Sequence, residues 1–510
     1  MIHQNLLNSF PLAGLTQINI RNPGLNFRLT RLALLLLSSC AAFSTPTIQA
    51  ATADLPDLGD SASSYVSLQE EHDLGRVWLR QLRAQAKTVD DPLITEFLEN
   101  LIFRLVPHSE VKQSDFEFVV VDRAELNAFA VPGGIIGINF GILLHTRDED
   151  ELSAVLAHEL AHLSQRHFAR QIEAAEKQEP IAIATLLASI LLIATNNPDA
   201  GFAGLVTSQA ASIQSRLAYS REWEQEADRI GMRTLSTAGL DPYAMPSMFQ
   251  QMLQANRYSQ RPPEFLLTHP VTESRVADAA DRAQTYPRKP RLAGFEFRAL
   301  QNEAMIRYQL SADKRVDYFT QQLQITARSS AEHAAALYSL ARLALDNNDS
   351  KSSRAYLKKI ISPWRDHSAV VALNARNLAA ESKYTEAIEA IDNALPFDPQ
   401  DYLLLSIKAS LLRQSSQKNE AVAVLKHLSE LRSTNPAVWR MLGEAAGDAN
   451  MILLGHRANA EYLFYSGYHA KALRQMELAL QLAKKNRDFQ QEAALGQRLR
   501  VMANSAAILP

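Results

Sequence analysis

Hydrophobic and polar positions alternate with two different periods along this chain. Across residues 66 to 106, Leu74, Val77, Trp78 and Leu82, then Phe97, Leu98, Leu101 and Ile102, recur at helical spacing. Phe116 to Val121 reads as a strand. Asn127-Ala128-Phe129-Ala130 and Ile135-Ile136-Gly137-Ile138 flank Pro132-Gly133-Gly134, a predicted turn between extended segments. A strong helix is predicted next. Asp148, Glu149, Asp150 and Glu151 crowd its first turn, where negative charge suits the helix dipole, and its pattern continues to about Lys177, ahead of Pro180. Ile181 to Ala194 is strongly apolar but short for a membrane span, so a buried or membrane-facing helix is expected. A further helix covers about Leu217 to Ala238 and stops at Gly239, with Pro242 just beyond.

The texture changes from about 300 to 505, where helical patterns alternate with short polar breaks and strand signal is slight. Ala355, Ala387 and Ala421 recur at steps of 32 and 34. Tyr384-x-x-Ala387-Ile388-x-x-Ile391 resembles Glu420-Ala421-x-x-Val424-Leu425, and Tyr468-x-x-x-Ala472-Leu473 follows suit. Pro399 and Pro436 follow two of these helices, and Trp439-x-x-Leu442-Gly443 fits the opening of a repeat. The period resembles that of tetratricopeptide repeats. An irregular helical domain is the alternative. Either is a helical surface with no evident chemistry of its own.

Length and charge narrow the picture. The 510 residues are enough for two to four domains. A net charge of −3 gives no strong pull toward nucleic acid or anionic lipid. The N-terminus is different. No Asp or Glu precedes Asp54, and Arg21, Arg28 and Arg31 lead into the apolar run Leu32 to Phe43, with small residues around Ala50 to Ala53. That order describes a secretory signal peptide over residues 1–50, cleaved after Ala50 or Ala53. Leu37-Ser38-Ser39-Cys40 also resembles a lipoprotein processing site, although the apolar core before it is very short. Cys40 is the one cysteine, so cleavage further on leaves no thiol for a disulfide, a nucleophile or a metal ligand.

Candidate chemistry centres on His158-Glu159-Leu160-Ala161-His162, an H-E-x-x-H motif. On a helix, residues i and i+4 share a face, so both imidazoles can hold one zinc ion. Glu159 sits beside them, placed to take a proton from water on the metal and return it to a departing amine. The flanks Ala154-Val155-Leu156-Ala157 and Leu163 demand a buried helix, and a buried helix needs a reason to carry such polar side chains. A catalytic zinc needs a third protein ligand. In Ser220-Arg221-Glu222-Trp223-Glu224-Gln225-Glu226-Ala227-Asp228, Glu224 and Asp228 share one helix face, so Glu224 could bind the metal while Asp228 orients a ligating imidazole. Glu222 and Glu226 are expected in solvent or in salt bridges. His167, five residues past His162, is expected to face away. Imidazole and carboxylate favour zinc but also serve manganese and iron.

H-E-x-x-H followed some sixty residues later by S-R-x-x-E-x-x-A-D resembles the M48 zinc metallopeptidases. The resemblance is strongest over about 120 to 285. It implies an α+β fold: a mainly helical zincin-type domain with a small sheet, over residues 54–290, then an all-α tetratricopeptide-like array over 300–505. By that pattern one Zn2+ per chain is held by His158, His162 and Glu224, with Glu159 as the catalytic acid/base and Asp228 behind the ligands. The N-A-F-A-x-P-G-G segment supplies Asn127, Ala128, Phe129, Gly133 and Gly134 as substrate-binding candidates, lying before the strand that borders the cleft and can pair with an extended substrate. The downstream His269-Pro270-Val271-Thr272-Glu273-Ser274-Arg275 makes His269 a candidate to stabilise an oxyanion or to approach the zinc of an empty site.

An exported member with C-terminal repeats resembles the branch of the family found in the periplasm of Gram-negative bacteria. The implied enzyme degrades misassembled outer-membrane proteins, assists their maturation, and meets the β-barrel assembly machinery through its repeats. Two other readings compete. In a repeat-based chaperone or adaptor the metal site would be latent or structural; the intact Glu159 argues against a purely adaptor role. A membrane-embedded protease would need more than 181–194, the one long apolar stretch after the leader. That segment could still touch a membrane surface.

Overall fold

In a computed structural model, the chain is described at residues 67–112, 115–175, 219–258, 263–291 and 294–505, and at Leu187, Ala188, Ile190, Leu191 and Thr195. The signal segment, Cys40 and residues 54–64 lie outside them. Residues 59–510 form one compact unit.

The helical stretch expected over 66 to 106 is two helices, α1 (Leu68–Gln85) and α2 (Pro92–Leu105). Ser67 and Glu70 close a capping box on α1, and Asp91 caps α2 ahead of its first-turn proline. Three strands follow, β1 (Glu117–Val121), β2 (Ala128–Val131) and β3 (Ile135–Asn139). Their order is β1-β3-β2, with β1 parallel and β2 antiparallel to the central β3. The expectation that the strand after the N-A-F-A-x-P-G-G segment borders the cleft is therefore corrected. Both sides of β3 are paired, and β2, inside that segment, is the sheet edge.

The long helix expected to reach Lys177 is instead α3 (Glu149–Ser164) and α4 (His167–Ala175). Arg166 has φ 50° between them, a left-handed conformation that ends the helix. Its guanidinium pairs with Glu71 of α1 at 3.0 Å, a long-range contact that no local pattern reveals. Of the apolar stretch 181–194, the described Leu187 and Leu191 are buried against Trp78, Phe129, Phe168 and Ile172, and Trp78 Nε1 donates to the Leu187 carbonyl at 3.0 Å. Among the described residues four further helices belong to this half: α5 (Arg221–Thr237), α6 (Ala244–Tyr258), α7 (Glu264–Thr268) and α8 (Glu273–Ala283).

The remaining helices form an antiparallel array. They are α9 (Phe295–Tyr308), α10 (Arg315–Ile325), α11 (Ala331–Asp346), α12 (Ser350–Leu357), α13 (Ser368–Ala380), α14 (Tyr384–Ala394), α15 (Tyr402–Gln414), α16 (Lys418–Leu431), α17 (Pro436–Asp448), α18 (Ile452–Tyr465), α19 (His469–Lys485) and α20 (Phe489–Asn504). Helices α12, α14, α16 and α18 start 34 residues apart. The left-handed residues Asn348, Ser382, Ser416 and Asn450, which turn the chain into each of them, keep the same step. The fourth residues Ser353, Ala387 and Ala421 are wholly buried, whereas Ala355 is exposed. The step of 32 read from Ala355 is thus corrected to 34, with Ser353 as the small residue at that contact.

One hydrophobic core runs from Val89 in the first half through to Leu411 in the array. Polar contacts reinforce the junction. Glu96 of α2 accepts from the Tyr402 and Leu403 amides at 3.1 and 3.4 Å, capping α15 from outside. Arg432 makes two bonds to Glu99, at 2.7 and 2.6 Å. At Gly467, φ 84°, a Cβ would stand 2.1 Å from the Arg80 carbonyl of α1, so glycine alone permits that approach.

Candidate metal centre

Helix α3 is buried along most of its length and carries His158, Glu159 and His162 inside the protein. Its i,i+4 spacing aims both imidazoles at one point, with the two Nε2 atoms 3.0 Å apart. Helix α5 packs across α3. At Gly231 a Cβ would lie 3.1 Å from the Ala157 backbone, so the small residue lets α5 come close enough to deliver Glu224. The Glu224 oxygens stand 3.5 Å from each Nε2. The chain beyond α7 brings in His269, whose Nδ1 is 2.9 Å from Glu224 Oε1 and 3.4 Å from His158 Nε2. One ligand atom from each of the four residues falls within 4.8 Å of the others, and all four side chains are buried. Two imidazole nitrogens sharing one tetrahedral zinc stand about 3.3 Å apart, so this donor set fits the metal.

Further contacts orient the ligands. Asp228 Oδ1 lies 3.0 Å from His158 Nδ1, as its position on the Glu224 face predicts. Arg275 grips Asp228 with bonds of 2.8 and 2.7 Å, approaches Glu224 Oε2 at 2.7 Å, and donates to the Pro270 carbonyl at 2.7 Å. Sequence reasoning gave Arg275 no role; the signal was its place in the motif with His269.

The expectation that His167 faces away is overturned. The left-handed Arg166 restarts the helix and swings His167 inward, where Nδ1 lies 2.8 Å from His162 Nδ1 and Nε2 3.2 Å from Glu226. Arg170 completes the line with a bond to Glu226 at 2.9 Å, so Glu226 is in a salt bridge as expected, while Glu222 is exposed. Tyr219 stacks on His162, the ring centroids 4.3 Å apart.

The charges are arranged for a cation. Burial would raise the Glu224 pKa, but His269, His158 and Arg275 hold it well below the usual carboxylate range. Burial of Asp228 is likewise overcome by His158 and Arg275. Burial pulls His158 down, yet bonds to Asp228 and Glu224 outweigh it and push it up to about 9. His162 is driven well below the usual value by burial and by the charge on His158. Glu159 differs. Burial raises its pKa, opposed by the neighbouring histidines and by an amide bond from Ala130 of β2. Its Oε1 has no hydrogen-bond partner among the described residues, and His269 Nε2 is 3.5 Å away.

The candidate substrate residues lie in β2 and beside it. Asn127 bonds Glu264 at 3.4 Å. Phe129 packs edge-on against Trp78 and lies over Gly137, where a Cβ would come within 2.1 Å of the ring. Gly133, φ 84°, turns the chain against Glu71 and His72, and the Gly134 carbonyl accepts from Glu117 N at 3.0 Å. Asn139 N donates to the Asn127 carbonyl. The alternation that follows turns the Ala128 and Ala130 backbones to the outer side of β2, the side of Glu159.

Comparison with known proteins bears on this centre. The sequence profile of peptidase family M48 matches residues 92–283. The β-barrel assembly-enhancing protease of Escherichia coli (strain K12) is 32% identical over 401 residues, covering 78% of this chain and 80% of that protein. Its namesake in Yersinia pestis is 31% identical over 421 residues, covering 82% and 86%. The mitochondrial metalloendopeptidase OMA1 of Schizosaccharomyces pombe is 31% identical over 182 residues, covering 36% of this chain and 51% of that protein.

Proposed function

Because the chain belongs to peptidase family M48 and is a metalloendopeptidase, we propose that it is a periplasmic zinc enzyme that cleaves misfolded or misassembled outer-membrane proteins. The observation that carries the chemistry is the convergence of His158, His162 and Glu224 with a buried Glu159 beside them. Zinc held by those three residues would acidify a water and polarise the scissile carbonyl. Glu159 takes the proton from the attacking water and passes it to the departing amine; its raised pKa suits both halves of that transfer. The outer edge of β2 offers the Ala128 and Ala130 backbones to an extended substrate, which would lie beside Glu159.

His269 lies between Glu224 and Glu159 and is buried, so a substrate carbonyl can enter only when that ring withdraws. Once displaced, it can turn toward the developing oxyanion. A site closed in this way also supports the second reading, a chaperone or adaptor whose protease is latent until a partner opens it.

The 34-residue helix pairs have the period of tetratricopeptide repeats, and such arrays bind partners over extended surfaces. The β-barrel assembly machinery is the proposed partner, a reading supported by the names of the relatives at 80% and 86% coverage. A periplasmic location rests on the signal-peptide pattern of the first 50 residues. No described helix is long and apolar enough to cross a membrane. The deciding experiment is digestion of a loosely folded outer-membrane protein by the purified mature enzyme and by Glu159→Gln, with zinc measured in both. Cleavage by the first alone, with zinc in both, is the expected result. No cleavage by either, with zinc in both, would replace the active protease by the latent one.

A further inference from the structure

The two ligating histidines of the H-E-x-x-H helix are oriented by different chemistry. His158 Nδ1 faces a carboxylate, Asp228, at 3.0 Å. His162 Nδ1 faces another imidazole, His167 Nδ1, at 2.8 Å. We propose that His167 is a positioning residue for the metal centre: its unprotonated Nδ1 accepts the His162 Nδ1 proton and so commits the Nε2 of His162 to the ion. This inference rests on the reading of the cluster as a zinc site.

The proton count follows from the geometry alone. A ring that ligates through Nε2 carries its proton on Nδ1. His162 must then donate, and an atom 2.8 Å away must accept, so His167 Nδ1 is bare and its proton sits on Nε2. That Nε2–H points at Glu226, 3.2 Å away, which can only accept when ionised. Arg170, 2.9 Å from the same carboxylate oxygen, holds Glu226 ionised and in place. Donors and acceptors alternate from Arg170 through Glu226 and His167 to His162 with every proton placed. The ring has little freedom to break the line. His167 is wholly buried and stacks on Trp223, centroids 5.6 Å apart and planes 13° from parallel. Arg170 lies over the Trp223 ring, 5.2 Å from its centroid. Arg166 creates the arrangement, since its left-handed backbone lets a residue five positions past His162 turn back toward it.

A neutral acceptor has a consequence that a carboxylate would not. With Asp228 on one ligand and an imidazole on the other, the centre gains orientation at His162 without a further buried negative charge. Outer contacts of this kind are worth about 10- to 100-fold in metal affinity.

Two amide substitutions of similar size separate the acceptor from the packing. In His167→Asn the side-chain oxygen takes the place of Nδ1 and can still accept from His162. In His167→Gln the amide reaches toward Glu226 and offers no acceptor at the Nδ1 position. The measurement is the zinc dissociation constant of the full mature chain by chelator competition, with the absorption spectrum of the cobalt-loaded form as a second readout of ligand geometry. The expected result is that Asn stays within about threefold of wild type with an unchanged cobalt spectrum, while Gln weakens zinc about 10- to 100-fold and shifts the cobalt bands. Equal affinities for the two variants, or a weaker Asn than Gln, would overturn the role given to Nδ1. Failure of the wild type itself to bind zinc would instead overturn the zinc reading.

Discussion

The metal centre draws His158, Glu224 and His269 from segments 45 and 111 residues apart, while from α11 onward the helices of the array pack chiefly on their sequence neighbours. The centre buries carboxylates, imidazoles and a guanidinium in one cluster. The array buries small side chains at a 34-residue step. The two regions should therefore fail differently. Losing one member of a buried ion pair in the centre leaves its partner uncompensated and costs stability as well as chemistry. A crowded contact in the array strains one turn and leaves the chemistry intact.

The largest effect is expected for Glu159→Gln. Its Oε1 has no hydrogen-bond partner among the described residues, so the fold and the zinc content should stay while turnover drops about 10²- to 10⁴-fold, the span of general acid–base catalysis. Arg275→Met probes the other side of the centre. It leaves Glu224 and Asp228 without the guanidinium they share, and breaking such a buried pair costs about 3–5 kcal/mol. A bound cation replaces part of the missing charge, so zinc should raise the melting temperature of this variant more than that of wild type. Equal zinc-induced shifts would show that the two carboxylates do not rely on Arg275 for balance.

In the array, Ala421→Leu adds three carbons at a wholly buried contact. Overpacking of this kind costs about 1–3 kcal/mol, visible as a lower denaturant midpoint, and zinc affinity should not change. Ala421 packs in a cluster with Tyr402, Leu425 and Trp439, separate from the core that joins the array to the centre, so a loss of zinc in this variant would mean that strain passes from one cluster to the other.

The same contrast explains what the sequence made legible. The spacing of His158 with His162 and of Glu224 with Asp228 is set within single helices, so those residues and their orientation could be read directly. The strands and the P-G-G turn were equally local. Arg275 and His167 could not be assigned, because their roles depend on contacts across the fold. Arg166, at the break, bonds Glu71, ninety-five residues earlier. The sequence places the cleft strand one segment too late because strand order depends on pairing partners, which alternation does not encode. In the array the period was legible, but Ala355 was mistaken for the contact position because Ser353, equally small, fills it.

The last effect belongs to the junction, where the two regions meet, and shows only as pH is varied. Glu96 faces the Tyr402 and Leu403 amides, with Asp401 and Arg432 nearby. Burial, helped by Asp401, raises its pKa to about 7 although both amide bonds and Arg432 oppose the rise. An unfolded glutamate titrates near 4.5. Between those values the folded chain holds a proton that the unfolded chain has released, so stability falls as pH rises from about 4.5 to about 7. The contribution is fully present below the unfolded value and is lost as pH passes the folded one. Glu96→Gln keeps an acceptor for α15 but cannot ionise. The variant should lose that part of the slope and melt higher than wild type at pH 8, with the gap closing toward pH 4.5. Asp401, whose pKa burial also raises, contributes in the same direction and remains in both proteins, so subtracting the two melting curves reports Glu96 together with its coupling to Asp401. Parallel curves across the range would place the Glu96 carboxylate in an environment no more costly than water, and the junction would then be held by its apolar core rather than sensitive to this charge.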